Sequence, residues 1–190
     1  LRALLPEAAL PDLAPQLRAA THGVGRYEHV VDQYAELYGR EAERVSRFLT
    51  LLEEGSHAYV RERVSGHLTA SAWVLDPALE RVLLIHHRKL DRWLQPGGHA
   101  DGEEDLLSVA RKEVLEETGV RSEPIGPMGG VPILDLDIHT IPARGGVASH
   151  DHYDVRFLLR ASEGGPPAGN EETRGARWVP LEAVEEPTWS

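Results

Sequence analysis

Three glutamates, Glu113, Glu116 and Glu117, stand at i, i+3 and i+4 in a stretch that otherwise reads as helix, and this restricts the fold more than any other feature of the chain. On a helix the three carboxylates share one face within a single turn, where like charges repel. The same stretch, about Glu104 to Thr118, places Leu107, Ala110 and Val114 on one side and is stopped by Gly119. Such a helix is expected to pack against an apolar partner rather than float in solvent. Its carboxylates then need compensation. The simplest is a hard divalent cation, because Mg2+ prefers oxygen ligands and commonly sits between a few carboxylates and substrate phosphates. The glycines ahead of the helix, Gly97 and Gly98, let the backbone approach such an ion closely.

Around this helix the hydrophobic period changes repeatedly. Residues 1–65 read as a helical extension. Pro6, Pro11 and Pro15 punctuate its start, and from about Tyr27 to Glu54 the pattern is helical, with a break at Gly39 and an end at Gly55. Val45, Phe48, Leu49 and Leu52 make one apolar stripe there. That stripe packs on something: the active site, a second copy in a homodimer, or the domain's own core. Residues 66–190 read as a separate domain. Strands are expected over His67–Leu75, Arg81–His86, Val131–Ile141, Asp154–Leu159 and Ala176–Val179, with a loop at Gly97-Gly98 and a helical turn from Leu181 to Val184. Strands and helices mix without strict alternation, which gives an α+β class with one mixed sheet packed by helices.

Composition narrows the partners. The chain has 190 residues, enough for one domain with a small appendage, and no cysteine. Disulfides and thiolate zinc sites are therefore excluded. A formal net charge of −11 argues against a nucleic-acid duplex as the main partner, because binding phosphates needs a surplus of Lys and Arg. It does not argue against a small anionic substrate held through a cation. No apolar run approaches the roughly 20 residues that cross a bilayer, and no secretory pattern is apparent. No membrane partner is expected, and the expected location is the cytoplasm.

Read from Gly98 onward, the stretch is Gly, five residues, Glu104, seven residues, then Lys112-Glu113-Val114-Leu115-Glu116-Glu117-Thr118-Gly119-Val120. This resembles the Nudix box, in which the position of Lys112 is usually arginine. The likeness extends over about 66–184, through Leu94-Gln95-Pro96-Gly97-Gly98 before the box and Trp178-Val179-Pro180-Leu181 near the end. The resemblance implies an α/β/α sandwich around a mixed β-sheet. It also implies a Mg2+- or Mn2+-dependent hydrolase that cleaves a nucleoside diphosphate linked to another group. Glu113, Glu116 and Glu117 would be catalytic metal ligands, joined by the Gly97 carbonyl. Lys112 can pair with a glutamate but lacks the bidentate fork of arginine. Glu104 would hold the loop–helix junction, or simply favour the positive helix N-terminus. Glu172, on a late loop six residues before Trp178, is a candidate general base. Nucleotide-sugars and ADP-ribose lead the expected substrates, with nucleoside triphosphates next. Pro132 is only an imperfect match to the downstream proline of ADP-ribose-directed members. Gln95-Pro96-Gly97 departs from the entry seen in coenzyme A-directed ones. A Nudix-fold module that senses a nucleotide without cutting it is the alternative, and it typically loses box glutamates that this chain keeps.

Ten histidines need weighing. Alternation puts Asp135, Asp137 and His139 on one side of a strand. That face lines the substrate cleft if it is aimed at the box helix, and is plain surface if aimed at solvent. His152 and His150 stand in the dense run His150-Asp151-His152-Tyr153-Asp154. His152, like His139, is a candidate substrate contact; a second, zinc-like site is the alternative, although no tight tetrahedral spacing of the kind zinc sites use appears among them. Arg88 and Lys89, in a basic turn after the second strand, either meet a phosphate or are solvated. Gln95 and Lys112 complete the candidate substrate contacts. Trp93 either stacks on a base or anchors its loop.

Overall fold

The computed structural model describes residues 42–125 and 133–184. The expected break at Gly39, the opening prolines, Val131 and Pro132 lie outside these residues. The chain begins with helix α1 (Ala42–Leu52) and a 3-10 turn (Gly55–Tyr59). Strands β1 (Gly66–Leu75), β2 (Arg81–His87), β3 (Arg92–Leu94) and β4 (Gly97–His99) follow. Helix α2 (Leu106–Thr118) leads into β5 (Ser122–Pro124), β6 (Ile133–Ile141), β7 (His150–Ala161) and β8 (Thr173–Pro180), and a 3-10 turn covers Leu181–Ala183.

All eight strands join one sheet with the path β3-β2-β1-β7-β5, to which β4 adds on β1, β6 on β7 and β8 on β2. The central pair β1–β7 is parallel and the remaining pairs are antiparallel. The expected mixed sheet with flanking helices is thus the observed architecture.

The two faces of the sheet differ because successive residues of a strand point to opposite sides. One face carries Leu68, Ala70, Ala72 and Val74 of β1 with Val155, Phe157 and Leu159 of β7. These are buried together with Val45, Phe48, Leu51 and Leu52 of α1 and Leu106, Val109, Ala110 and Val114 of α2. The described part of the N-terminal extension therefore completes the domain's own core. Phe48 meets Tyr153 edge-on at 5.3 Å, and Arg47 reaches Asp151 at 2.6 Å. The other face is apolar at one end, where Leu75, Val82 and Val179 cluster with Trp73 and Leu158. At its opposite end it is polar: His67, Thr69, Ser71, Asp154 and Arg156 are all buried.

Several boundaries differ from the sequence expectation. Gly97-Gly98 is not a loop but part of strand β4, paired with β1 at Ser71 and Ala70. Glycine has poor strand propensity, yet close pairing leaves no room for a side chain: a Cβ on Gly97 would stand 2.5 Å from that of Ser71. Strand β7 starts at His150 rather than Asp154. Helix α2 starts at Leu106, two residues later than expected.

Candidate active site

Helix α2 is fixed at both ends by local chemistry. Asp105 caps its start, accepting from the Ser108 N–H at 3.2 Å, and Glu103 accepts from the Asp105 N–H at 2.9 Å. Glu104, partly exposed, contributes its carbonyl to the Leu106 N–H. Gly119 closes the other end in the left-handed conformation, φ +70°, donating to the Leu115 carbonyl. That position favours glycine because it has no Cβ to clash.

Between these caps the helix sets its glutamates against β4. Glu117 is buried, only 4% exposed, and accepts a hydrogen bond from the Gly97 N–H at 3.0 Å. Glu113 stands over Gly98, where a Cβ would lie 2.6 Å from its carboxyl carbon. Gly98 is therefore required by close approach. Glu116 is exposed and pairs loosely with Lys112 at 3.8 Å. Glu172 sits on the loop ahead of β8. That loop is tied to β2 by the Arg88 N–H on the Glu172 carbonyl at 3.0 Å and by the Arg88 guanidinium on the Thr173 carbonyl at 3.2 Å.

The electrostatics of this group are unbalanced. Burial pushes the Glu117 carboxyl up to about 8; the Gly97 N–H opposes this, and Glu113, Glu172 and Glu116 add to it. Burial also raises Glu113, with Glu116 and Glu172 adding to it and Lys112 opposing. The buried Glu117 and half-buried Glu113 face further carboxylates, and among the described residues no cation forms an ion pair with either. An all-oxygen donor set in that condition fits a hard divalent cation, and Glu113, Glu116 and Glu117 are the residues that would hold it.

The remaining sequence candidates lie away from the helix, across the sheet. The face carrying Asp135, Asp137 and His139 is aimed neither at α2 nor at open solvent. Arg156 lies against it, with Asp135 at 2.8 Å, Asp137 at 2.6 Å and Asp154 at 3.2 Å. Asp154 also accepts from Thr69 at 3.0 Å and Ser71 at 2.7 Å, and Gln95 reaches Ser71 at 3.4 Å. His139 hydrogen-bonds Asp137 at 3.0 Å, and its ring lies 5.5 Å from that of His152. Trp93 contacts its own strand neighbours, with the Arg177 guanidinium 4.0 Å above it and His86 stacked at 5.0 Å. Sequence reasoning passed over Thr69, Ser71, Asp154 and Arg156. Their signal was parity: the polar residues 135, 137 and 139 and 150, 152, 154 and 156 each keep to one side of a strand.

Fold and site together define a mixed α+β domain whose packed helix offers a carboxylate cluster suited to a divalent cation. The chain belongs to the NUDIX family, whose domain model matches residues 66–190. Among curated relatives it is similar to nucleoside diphosphate-linked moiety X motif 6 of Xenopus laevis, 34% identical over 84 residues, which is 43% of this chain and 39% of the relative. The Homo sapiens protein of the same name is 34% identical over 84 residues, covering 43% of this chain and 27% of the relative. The chain thus spans well under half the length of either. Among solved structures, a MutT NUDIX hydrolase from Burkholderia pseudomallei aligns with a TM-score of 0.47 at 22% identity, over 65% of this chain and 89% of that one.

Proposed function

We propose that this chain hydrolyses the pyrophosphate bond of a nucleoside diphosphate linked to another moiety, with nucleotide-sugars and ADP-ribose as favoured substrates and nucleoside triphosphates next. The observation that carries this reading is the charge-unbalanced pair of buried Glu117 and half-buried Glu113 set against the glycines of β4. Membership of the NUDIX family and the name of the curated relatives support it.

Hydroxide is repelled by a pyrophosphate, so the protein's task is mainly positioning and charge compensation. A Mg2+ or Mn2+ ion held by Glu113, Glu116 and Glu117 would supply that compensation and acidify a bound water. The Gly97 N–H fixes the Glu117 carboxylate, and its carbonyl offers a further oxygen. Glu172, whose charge bears on Glu113 and Glu117, would accept the proton of the attacking water. Arg88, Gln95 and Lys112 are the candidate substrate contacts, with Arg88 also steadying the Glu172 loop; His139 and His152, expected beside them, lie on a face that is not aimed at α2. Lys112 stands outside the buried part of the site, as its loose pairing with Glu116 indicates.

The test is a panel of nucleotide-sugars, ADP-ribose, dinucleoside polyphosphates and nucleoside triphosphates with Mg2+ or Mn2+, read by chromatography of phosphate-bearing products. Cleavage of one class is expected and names the linked moiety. No cleavage, with metal-dependent tight binding of one member, would replace the hydrolase with a nucleotide sensor.

A further inference from the structure

The polar end of the second sheet face holds five histidines in contact. The rings of His67 and His152 lie 5.0 Å apart, His67 and His150 5.2 Å, and His150 and His152 5.3 Å. His99 is 5.1 Å from His67 and 5.0 Å from His152, and His139 flanks His152. Strand register produces this gathering. His67 pairs directly with His152 across the parallel β1–β7 ladder, His139 pairs with His152 across β6–β7, and His150 precedes His152 by two residues on the same side. None of it uses the carboxylates of α2, which lie against the opposite face of β4.

Three features set this group apart from a packed histidine core. First, one ring nitrogen each from His67, His150 and His152 all lie within 4.8 Å of one another. Ligands on a tetrahedral zinc at about 2.0–2.1 Å stand roughly 3.4 Å apart, so a small closure of side chains suffices. Second, His67 is only 2% exposed, yet neither of its ring nitrogens has a hydrogen-bond partner, and Nε2 of His152 is likewise buried and unpartnered. Buried polar nitrogens are almost always satisfied, so orphans on two touching rings call for an absent partner, which an ion would be for one nitrogen of each. The Arg63 carbonyl bears on the His67 ring without reaching hydrogen-bond geometry. Third, part of the supporting shell is already built. His150 Nδ1 is bonded to the Ala148 carbonyl at 2.9 Å, which makes Nδ1 the N–H and leaves Nε2 with its lone pair free. His139 is oriented in the same way by Asp137. Metal-binding histidines are held by such second partners.

We propose that His67, His150 and His152 form a second metal site, separate from the carboxylate cluster, that binds a zinc-class divalent ion. Imidazole nitrogens select such ions over Mg2+, which takes oxygen. Burial and the neighbouring rings push the His67 imidazole down to about 4 and lower those of His99 and His152, so the rings are neutral near pH 7, as ligation needs. Three protein ligands leave one position of a tetrahedral ion open, bordered by His99 and His139. His152 is then a metal ligand rather than a substrate contact.

The experiment loads metal-stripped protein with Co2+ in excess Mg2+, which occupies the oxygen site, and reads the visible absorption of four-coordinate cobalt, then its displacement by Zn2+. Wild type is expected to take up one equivalent with the tetrahedral spectrum. His67→Ala and, separately, the less buried His150→Ala should weaken binding on the order of 100-fold or more, since even second partners of metal ligands are worth 10–100-fold. Glu117→Gln should bind as wild type. X-ray absorption of the zinc form should give a nitrogen shell at about 2.0–2.1 Å. A featureless wild-type titration, or unchanged binding in a folded His150→Ala, overturns the proposal. Loss of the cobalt signal in Glu117→Gln with its retention in both histidine variants places the ion at the carboxylates and overturns it too.

Discussion

Two clusters of ionisable side chains flank strand β4, and they are built on opposite principles. The carboxylate cluster lies on one turn of one helix, with half-buried Glu113 beside Gly98 and buried Glu117 beside Gly97. The histidine cluster lies across four strands, β1, β4, β6 and β7, on the other face of the sheet. In the first, burial raises carboxyl groups and leaves negative charge without a partner when they ionise. In the second, burial lowers imidazoles and leaves neutral nitrogens without hydrogen bonds. The same physical cause, loss of water, thus prepares one site for a hard oxygen-seeking ion and the other for a borderline nitrogen-seeking one. Alternation along β4 keeps them separate: Gly98 pairs with Ala70 on the helix side, while His99 pairs with Thr69 on the polar side.

The largest effect expected from a single change is structural. Arg156→Met removes the cation shared by Asp135, Asp137 and Asp154 and leaves the buried Asp154 carboxylate with hydroxyl donors but without its guanidinium. Breaking such a group should cost about 3–5 kcal/mol, read by denaturant unfolding. A loss under about 1 kcal/mol would show that the network is solvated rather than part of the frame between the two clusters.

Gly98→Ala sharpens the separation. The new Cβ would stand 2.6 Å from the Glu113 carboxyl carbon and displace it, so hydrolysis should fall at least about tenfold. Cobalt uptake at the histidines should be unaffected. Equal damage to both readouts would mean that the clusters act as one.

The pH dependence of metal-free protein separates them by sign. Glu117 is raised from 4.5 to about 8, so the folded state holds its proton more tightly than the unfolded state. The associated stability is complete below the unfolded value and is lost as pH rises through about 8. His67 is lowered from 6.5 to about 4. Its contribution is present above 6.5 and is lost as pH falls through about 4. Tm in EDTA should therefore decline on both sides of neutrality, and Glu117→Gln should flatten the alkaline limb alone. An unchanged alkaline limb in that variant would contradict the burial account of Glu117.

Lys112→Ala should have the smallest effect. The lysine is exposed and its pairing with Glu116 is loose, so stability should move by no more than about 0.5 kcal/mol. Turnover should move less than about threefold, a barrier change under roughly 0.7 kcal/mol. A larger rate loss would give Lys112 a direct part in substrate binding.

The contrast also explains what could be read in the sequence. The carboxylate cluster was legible because it is local. Glu113, Glu116, Glu117, Gly98 and Gly119 fall within one contiguous stretch, and helix periodicity alone places the three acids together. The histidine cluster was not legible. His67 and His152 meet only through the register of a parallel strand pair far apart in sequence, and no local spacing encodes that register. The alternation of 135, 137 and 139 was visible, and so was the parity of 150, 152, 154 and 156, but not that the two faces meet, because only the β6–β7 register sets Arg156 opposite Asp135. Strand β4 was missed for a related reason: two glycines read as a turn, and only the pairing with β1 makes them a strand. Phe48 and Val45 were expected to pack, and only the structure names their partner as the sheet itself.

The measurement that tests the account most directly is the turnover of Glu117→Gln at saturating Mg2+ on whichever substrate the panel identifies. The account predicts a folded protein, because glutamine keeps the shape of a side chain that burial already favours in its neutral form. Its rate should be reduced at least about 100-fold, more than the loss of a second partner of a metal ligand produces, and activity should vanish in wild type under excess EDTA. A folded Glu117→Gln with wild-type turnover, or full wild-type turnover in EDTA, would contradict the assignment of chemistry to the carboxylates of this helix.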